Sequence, residues 1–235
     1  MYEYLIGVLV IAIFWFLVFL LRKDLRKAMV LSGLIYMIVL IFTFAVWWVL
    51  SHFIYLSGSI IPDYWNPDTL FNLGRITKGL SIEDALFMFF VGGIVTVLYE
   101  IIFKKRIINT NKKPHKISIV VYFLGFFIFT YFVQLNIIYT SLILPSFLGA
   151  IFLIIQRKDL IKHSIIGALL FTIIYFLGFL LFDFIFPNVI ESYWNLNGLS
   201  GIILLSIPIE ELLYAFSFGL MWSPMYIYFY GKKEN

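Results

Sequence analysis

The sequence SIPIEELLY, residues 206–214, places two adjacent carboxylates, Glu210 and Glu211, inside a long apolar run near the C-terminus. A carboxylate at the centre of a bilayer costs about 2.5–3.5 kcal/mol on insertion scales, so a residue kept there is typically functional. A weaker copy of this stretch, SIEDALF, lies upstream at residues 81–87. We therefore predict that the remaining chain brings the two acidic pairs into one membrane-embedded site.

The composition is that of a membrane protein with several spans. Of the 235 residues, 63% are hydrophobic and 13% are charged, whereas about 25% are charged in ordinary soluble domains. The chain contains no cysteine, which excludes disulfides, thiolate nucleophiles and metal sites built on cysteine.

Seven apolar segments are each long enough to cross the hydrocarbon core as a helix. We predict an all-α, multi-pass protein of the cell membrane, with transmembrane helices at residues 4–21, 28–50, 84–103, 117–135, 137–155, 164–186 and 202–229.

The basic residues predict the orientation of these helices. Of the 17 lysines and arginines, all except Arg75 and Lys78 fall in the loops on one side. The positive-inside rule places that side in the cytoplasm, with the N-terminus outside and the C-terminus inside. Because topology explains the basic runs, we expect no nucleic-acid partner, and contact with anionic lipid headgroups is the expected secondary role.

Short motifs recur in the same order along the chain, which indicates an internal repeat. RKDL occurs at residues 22–25 and 157–160, YWN at 64–66 and 193–195, and IED at 82–84 is matched by IEE at 209–211. Each copy would hold three helices, and an unpaired fourth helix would leave the copies parallel. The predicted units are a first repeat, a basic loop with linking helix 4, and a second repeat, at residues 1–106, 107–136 and 137–235.

These features resemble the lycopene cyclase domain family, whose members are small integral-membrane carotenoid cyclases. The resemblance depends on two three-helix units, each with a YWN loop and then a Pro-x-Glu-Glu/Asp motif opening its third helix. The second copy has the motif intact at residues 208–211, while the first has Ser81 where proline is expected. Residues 2–5 (YEYL) resemble the usual opening of the first domain. An acidic residue late in the second helix is present only in the second copy, as Asp183.

The resemblance implies a redox-neutral, acid–base cyclisation of acyclic carotenoid end groups within the membrane. Such a reaction needs one general acid, one general base and a dry pocket, and aromatic faces stabilise a cation. The predicted catalytic residues are Glu83, Asp84, Glu210 and Glu211. The predicted substrate contacts are Trp65, Trp194, Tyr214, Phe87 and Asp183. We expect the Tyr214 hydroxyl, one turn after Glu210, to lie within hydrogen-bond reach of that carboxyl group.

Structural explanations of the same residues stay open. Ser81 and Asp84 fit a capping box, and Pro208 suits a first helical turn, so both acidic pairs could serve only to start helices. Trp65 and Trp194 could be interfacial anchors, and Asp183 could be solvated near the interface.

Other functions also stay open. A non-enzymatic carotenoid- or lipid-binding protein, a transporter-like protein and a related isoprenoid-modifying enzyme are the alternatives, and homo-oligomerisation is undecided. No dinucleotide fingerprint occurs and no histidines have ligand spacing, so neither a cofactor nor a metal is predicted.

Overall fold

A computed structural model describes residues 2–54, 59–109, 117–230 and 232–234, with backbone alone at 108–109 and 232–234. It is predominantly helical. The α-helices are α1 (Glu3–Leu21), α2 (Arg26–Leu50), α3 (Leu73–Thr77), α4 (Ile82–Ile102), α5 (Ile117–Phe132), α6 (Leu144–Gln156), α7 (Ile161–Ile185), α8 (Val189–Tyr193), α9 (Ile209–Trp222) and α10 (Met225–Tyr230). Short 3₁₀ turns occupy Leu70–Asn72, Lys158–Leu160 and Leu196–Gly198, and a π-helical turn occupies Tyr139–Ile143.

Within the described ranges, four short strands form two small antiparallel pairs. They are β1 (Ile107–Asn109), β2 (Ile203–Leu204), β3 (Ile207–Pro208) and β4 (Lys232–Glu234). β1 pairs with β4, which brings the chain after α4 beside the C-terminus, and β2 pairs with β3 directly before α9.

Five helical stretches in the described residues are long and apolar enough to cross a membrane. They are Glu3–Leu21, Arg26–Leu50, Ile82–Ile102, Tyr139–Gln156 and Lys158–Ile185. α5 is apolar but has 16 residues and α9 has 14, fewer than the roughly 20 that a straight crossing requires. Seven crossings, the parallel repeat and the orientation of the termini therefore stay predictions. Among the basic residues used for the orientation, Lys112, Lys113 and Lys116 lie outside the described part of the chain.

The prediction of one continuous helix over residues 202–229 is wrong. β2 and β3 occupy its start, joined by a turn in which Leu205 and Ser206 have φ of 47° and 71°. A left-handed backbone at two successive residues cannot belong to a right-handed helix. The helix begins only at Ile209 and is interrupted at Ser223 and Pro224, because proline lacks the N–H that a helix interior needs.

α4 lies at the centre of the helical core and packs against α1, α2 and α7, while α9 packs against α6 and α7. Small residues permit this close packing. A Cβ built on Gly92 would lie 2.8 Å from the Tyr36 Cβ atom, and one built on Gly93 would lie 2.5 Å from the indole nitrogen of Trp15. Only glycine therefore lets α4 approach its neighbours this closely.

The two RKDL segments adopt the same local contact. Arg22 donates to both carboxylate oxygens of Asp24 at 3.0 and 2.9 Å, and Arg157 donates to both oxygens of Asp159 at 2.9 Å. Hydrogen bonds from Arg22 hold the pKa of Asp24 below its usual value. Each pair stabilises the turn that joins two long helices.

The two YWN loops are joined to each other through their backbones. Asn66 N–H donates to the Tyr193 carbonyl at 2.7 Å, and Asn195 N–H donates to the Tyr64 carbonyl at 2.8 Å. These reciprocal bonds form an antiparallel bridge at the tryptophans between them. The loops that precede α4 and α9 therefore meet above one end of the helical core.

Candidate functional site

Each acidic pair opens a helix, α4 in the first half and α9 in the second. Ser81 is the N-cap of α4: its hydroxyl accepts from the Asp84 N–H at 3.1 Å, and Asp84 accepts from the Ser81 N–H at 2.7 Å. The predicted capping box is thus confirmed. Pro208 precedes α9 in an extended conformation and no side chain caps that helix.

The first carboxylate of each pair binds the loop that precedes its helix. Glu83 accepts from the backbone N–H of Leu70 at 2.7 Å, and Glu210 accepts from that of Ser200 at 2.7 Å. Glu210 also accepts from the Tyr139 hydroxyl in the π-helical turn before α6. Both glutamates are fully buried. These contacts connect each glutamate to the loop before its helix and stabilise the conformation of that loop.

The second carboxylate of the first pair, Asp84, accepts hydrogen bonds from its own half of the chain in the part that the structure describes. Its Oδ1 atom accepts from the Tyr4 hydroxyl at 2.7 Å. Its Oδ2 atom accepts from both the hydroxyl and the N–H of Ser81 at 2.7 Å. Asp84 thereby links the start of α1 to the start of α4.

The second carboxylate of the second pair, Glu211, is surrounded by aromatic donors. Its Oε1 atom accepts from the Tyr64 hydroxyl and, at 2.7 Å, from the indole N–H of Trp194. Its Oε2 atom accepts from the Tyr175 hydroxyl at 2.7 Å. Both oxygens are therefore oriented by side chains from the YWN loops and from α7.

Asp84 and Glu211 line the same cavity, whose volume is about 460 Å³ and whose walls are mainly apolar. Aromatic rings surround the two acids. The rings of Tyr4 and Trp65 meet edge to face with centroids 4.6 Å apart, and those of Trp65 and Trp194 lie 5.4 Å apart. The cavity thus combines two carboxyl groups with ring faces that attract a cation.

A family model described as "Lycopene cyclase" matches residues 2–102 and 136–229. The chain belongs to the lycopene cyclase family. The two matched segments are consistent with two tandem domains in one chain, each containing one acidic pair. Comparisons with curated proteins and with solved structures gave no match.

Most of the predicted site residues of this lycopene cyclase family member meet at the cavity. Its lining includes Asp84, Glu211, Trp65, Trp194, Tyr214 and Phe87. Glu83 and Glu210 do not belong to the lining, because both turn toward their loops. Asp183 is half-buried and is also outside the lining.

The expected contact between Tyr214 and Glu210 is wrong. The Tyr214 hydroxyl lies 3.0 Å from the hydroxyl of Tyr36 on α2. Glu210 points away from it, toward Ser200 and Tyr139. Glu210 and Tyr214 are one helical turn apart, but the donors that reach Glu210 come from the preceding loop and from the π-helical turn.

The sequence did not identify the tyrosines that hold the two cavity carboxylates. Tyr64 directly precedes Trp65 in the repeated YWN motif, so its recurrence was a usable signal. Tyr4 lies in the family-like opening of the chain. Tyr175 lies within an apolar helix and carries no local signal. Among the described residues, no three His, Asp or Glu side chains cluster closely enough to hold a metal ion.

Proposed function

We propose that this chain cyclises the end groups of an acyclic carotenoid, with lycopene as the representative substrate. The observation that carries this proposal is the joint exposure of Asp84 and Glu211 to one apolar, aromatic cavity. Family membership supplies the substrate class, and the cavity supplies the acid–base pair that such chemistry needs.

The proposed reaction is an isomerisation in which atoms and electrons balance. One carboxyl group gives a proton to the terminal alkene, which leaves a carbocation at the neighbouring carbon. The π electrons of the next suitably placed alkene form the ring bond and move the cation into the ring. The second carboxylate removes a proton beside the cation, and a ring double bond forms. Proton gain and proton loss cancel, so no redox cofactor is consumed.

The cavity walls favour this sequence over capture by water. Apolar lining keeps water away from the cation. The rings of Trp65 and Trp194 offer negative faces that stabilise positive charge. Glu211, oriented by three donors, and Asp84, oriented by Tyr4 and Ser81, are held in place before the substrate arrives.

Expression in a bacterial host that accumulates lycopene tests the proposal, with pigments separated by chromatography. We expect cyclised pigment from the natural sequence, and none from folded Asp84→Asn or Glu211→Gln protein, because an amide cannot transfer the proton. Glu191→Gln is the matched control: Glu191 is exposed on α8 and is not part of the cavity lining. Full cyclisation by both cavity variants would contradict the mechanism.

Incubation of purified protein with unlabelled, preformed lycopene in lipid nanodiscs prepared in deuterated water separates an enzyme from a carotenoid-binding or transport protein. Because one proton is added from an exchangeable carboxyl group and another is lost from carbon, each new ring should gain deuterium. A protein that only binds or moves the pigment leaves its mass and its chromatographic position unchanged.

A further inference from the structure

The cavity reaches the outer surface of the helical core along one face of α1. Ile6, Val10 and Phe14 all line it, at a spacing of four residues that places them on one stripe of the helix. Each of these side chains is also 40–44% exposed. The stripe therefore belongs both to the cavity wall and to the lipid-facing surface.

A second stripe lies along α7. Gly178, Leu181 and Ile185 line the same cavity at helical spacing, and Leu181 and Ile185 are 49% and 48% exposed. A Cβ atom built on exposed Gly178 would have no heavy atom within 4 Å of it. At this point the wall is therefore open.

Little packing closes the seam between these two stripes. α1 packs mainly on α4 and α7 mainly on α9, and the described residues of α1 and α7 make few direct contacts with each other. Their close approach is at Gly7, where an added Cβ would lie 3.2 Å from the Phe182 ring. The seam is thus narrow at Phe182 and open beside Gly178.

We propose that the acyclic polyene enters sideways from the lipid through the seam between α1 and α7, and that its unreacted chain lies over Gly178 during catalysis. This inference rests on the proposed function. A long apolar polyene resides in hydrocarbon, and a route through water would expose its whole surface. A volume of about 460 Å³ lies within the roughly 300–1,000 Å³ typical of pockets for drug-sized ligands. A full carotenoid is longer than such a ligand, so the cavity holds its end group and the remainder leaves through the seam.

The absence of native cysteine makes the entrance directly testable. Purified Gly178→Cys protein is reacted with pyrene maleimide, and labelled and unlabelled samples of that variant are compared in lipid nanodiscs containing lycopene. We expect the label to lower the initial rate of ring formation at limiting lycopene by at least tenfold. Leu177→Cys is the matched control. Leu177 is 57% exposed, adjacent in sequence and outside the cavity lining, so its label should leave the rate unchanged.

Lycopene uptake, measured by its absorption shift, separates failure of the entrance from failure of the chemistry. In a Glu211→Gln background we expect no ring to form, but labelling of the Gly178→Cys thiol should still lower lycopene uptake. This result would support the entrance even if the natural chain formed no rings. Equal rates and equal uptake for labelled and unlabelled Gly178→Cys protein would overturn the proposal, as would equal losses for labelled Leu177→Cys protein. If Gly178→Cys does not fold, Val10→Cys places the label on the other side of the seam with the same expected and opposing outcomes.

Discussion

At the scale of single residues, the two carboxylates of each pair have different surroundings. Glu83 and Glu210 accept hydrogen bonds from the backbone of the preceding loop, whereas Asp84 and Glu211 face the cavity. Adjacent residues at a helix start point in directions about 100° apart, so a single motif can supply both a loop anchor and a cavity acid.

The donors to Glu211 should matter for rate. Tyr175→Phe removes the hydroxyl bound at 2.7 Å and keeps the ring. A hydrogen bond to a charged group contributes about 1.5–3 kcal/mol, so we expect turnover to fall by at least about tenfold. The measurement is the initial rate of ring formation, with Tyr131→Phe as a control on an exposed phenol. An unchanged rate would remove Tyr175 from the positioning of Glu211.

The loop-binding acids should affect stability more than chemistry. Glu83→Gln and Glu210→Gln each weaken a buried acceptor of a backbone N–H, and we expect each to lower the free energy of unfolding by about 1–3 kcal/mol while product still forms below the melting temperature. Thermal unfolding in detergent and pigment analysis measure the two effects separately. Loss of product from fully folded protein would assign these glutamates to the reaction itself.

Both cavity carboxylates were predictable from the sequence, but the roles within each pair were not. That division depends on where Leu70 and Ser200 present their N–H groups, which is a matter of loop conformation. The role of Tyr175 could not be predicted for a similar reason. A tyrosine in an apolar helix has no local signal, and its function depends on its partner on a neighbouring helix, here Glu211.

At the scale of elements, two glycines determine how closely the neighbouring helices can pack against α4. Gly92 and Gly93 meet α2 and α1 at distances that a side chain would not permit. The continuous apolar segments predicted the long helices well, because the length and hydropathy of a segment determine whether it can cross a membrane. They could not predict the hairpin before α9, where Leu205 and Ser206 take left-handed conformations without glycine.

Gly93→Ala should disturb this packing. Its methyl group would press on the Trp15 indole nitrogen and, at 2.8 Å, on the Met29 carbonyl oxygen. Overpacking of this kind costs about 1–3 kcal/mol, so we expect a lower melting temperature and less folded protein in the membrane. Gly178→Ala is the control, because a Cβ there meets no neighbour. Equal melting temperatures for the two variants would show that the helices shift at no cost.

At the scale of the whole molecule, the two matched segments meet through their YWN loops and through one shared cavity. The family match shows membership. The domain boundaries, the parallel repeat and the number of crossings stay predictions, and the repeat and the crossings require the position of each helix relative to the bilayer. The charge asymmetry between the loops predicts that orientation from the sequence alone.

Cysteine labelling tests the orientation. Asn197→Cys lies at an exposed position in the loop before α9, and we expect it to react with an impermeant maleimide added outside intact cells. Asn109→Cys, on β1, should react only after the membrane is opened. The cysteine-free parent is the background control, and the opposite labelling pattern would discard the arrangement with the N-terminus outside.

The hydrogen bonds to the two cavity acids also make the second half of the chain dependent on the first. Among the described residues, the hydrogen-bond donors to the Asp84 carboxylate come from the first matched segment, whereas Glu211 accepts from Tyr64 of the first segment as well as from Tyr175 and Trp194 of the second. If the two halves were encoded by separate genes, the first half would keep every one of these donors to Asp84, while the second half would lack the Tyr64 donor to Glu211. A substitution of Tyr64 in the first half therefore removes a hydrogen bond from Glu211 in the second half, and selection on the two halves cannot act independently.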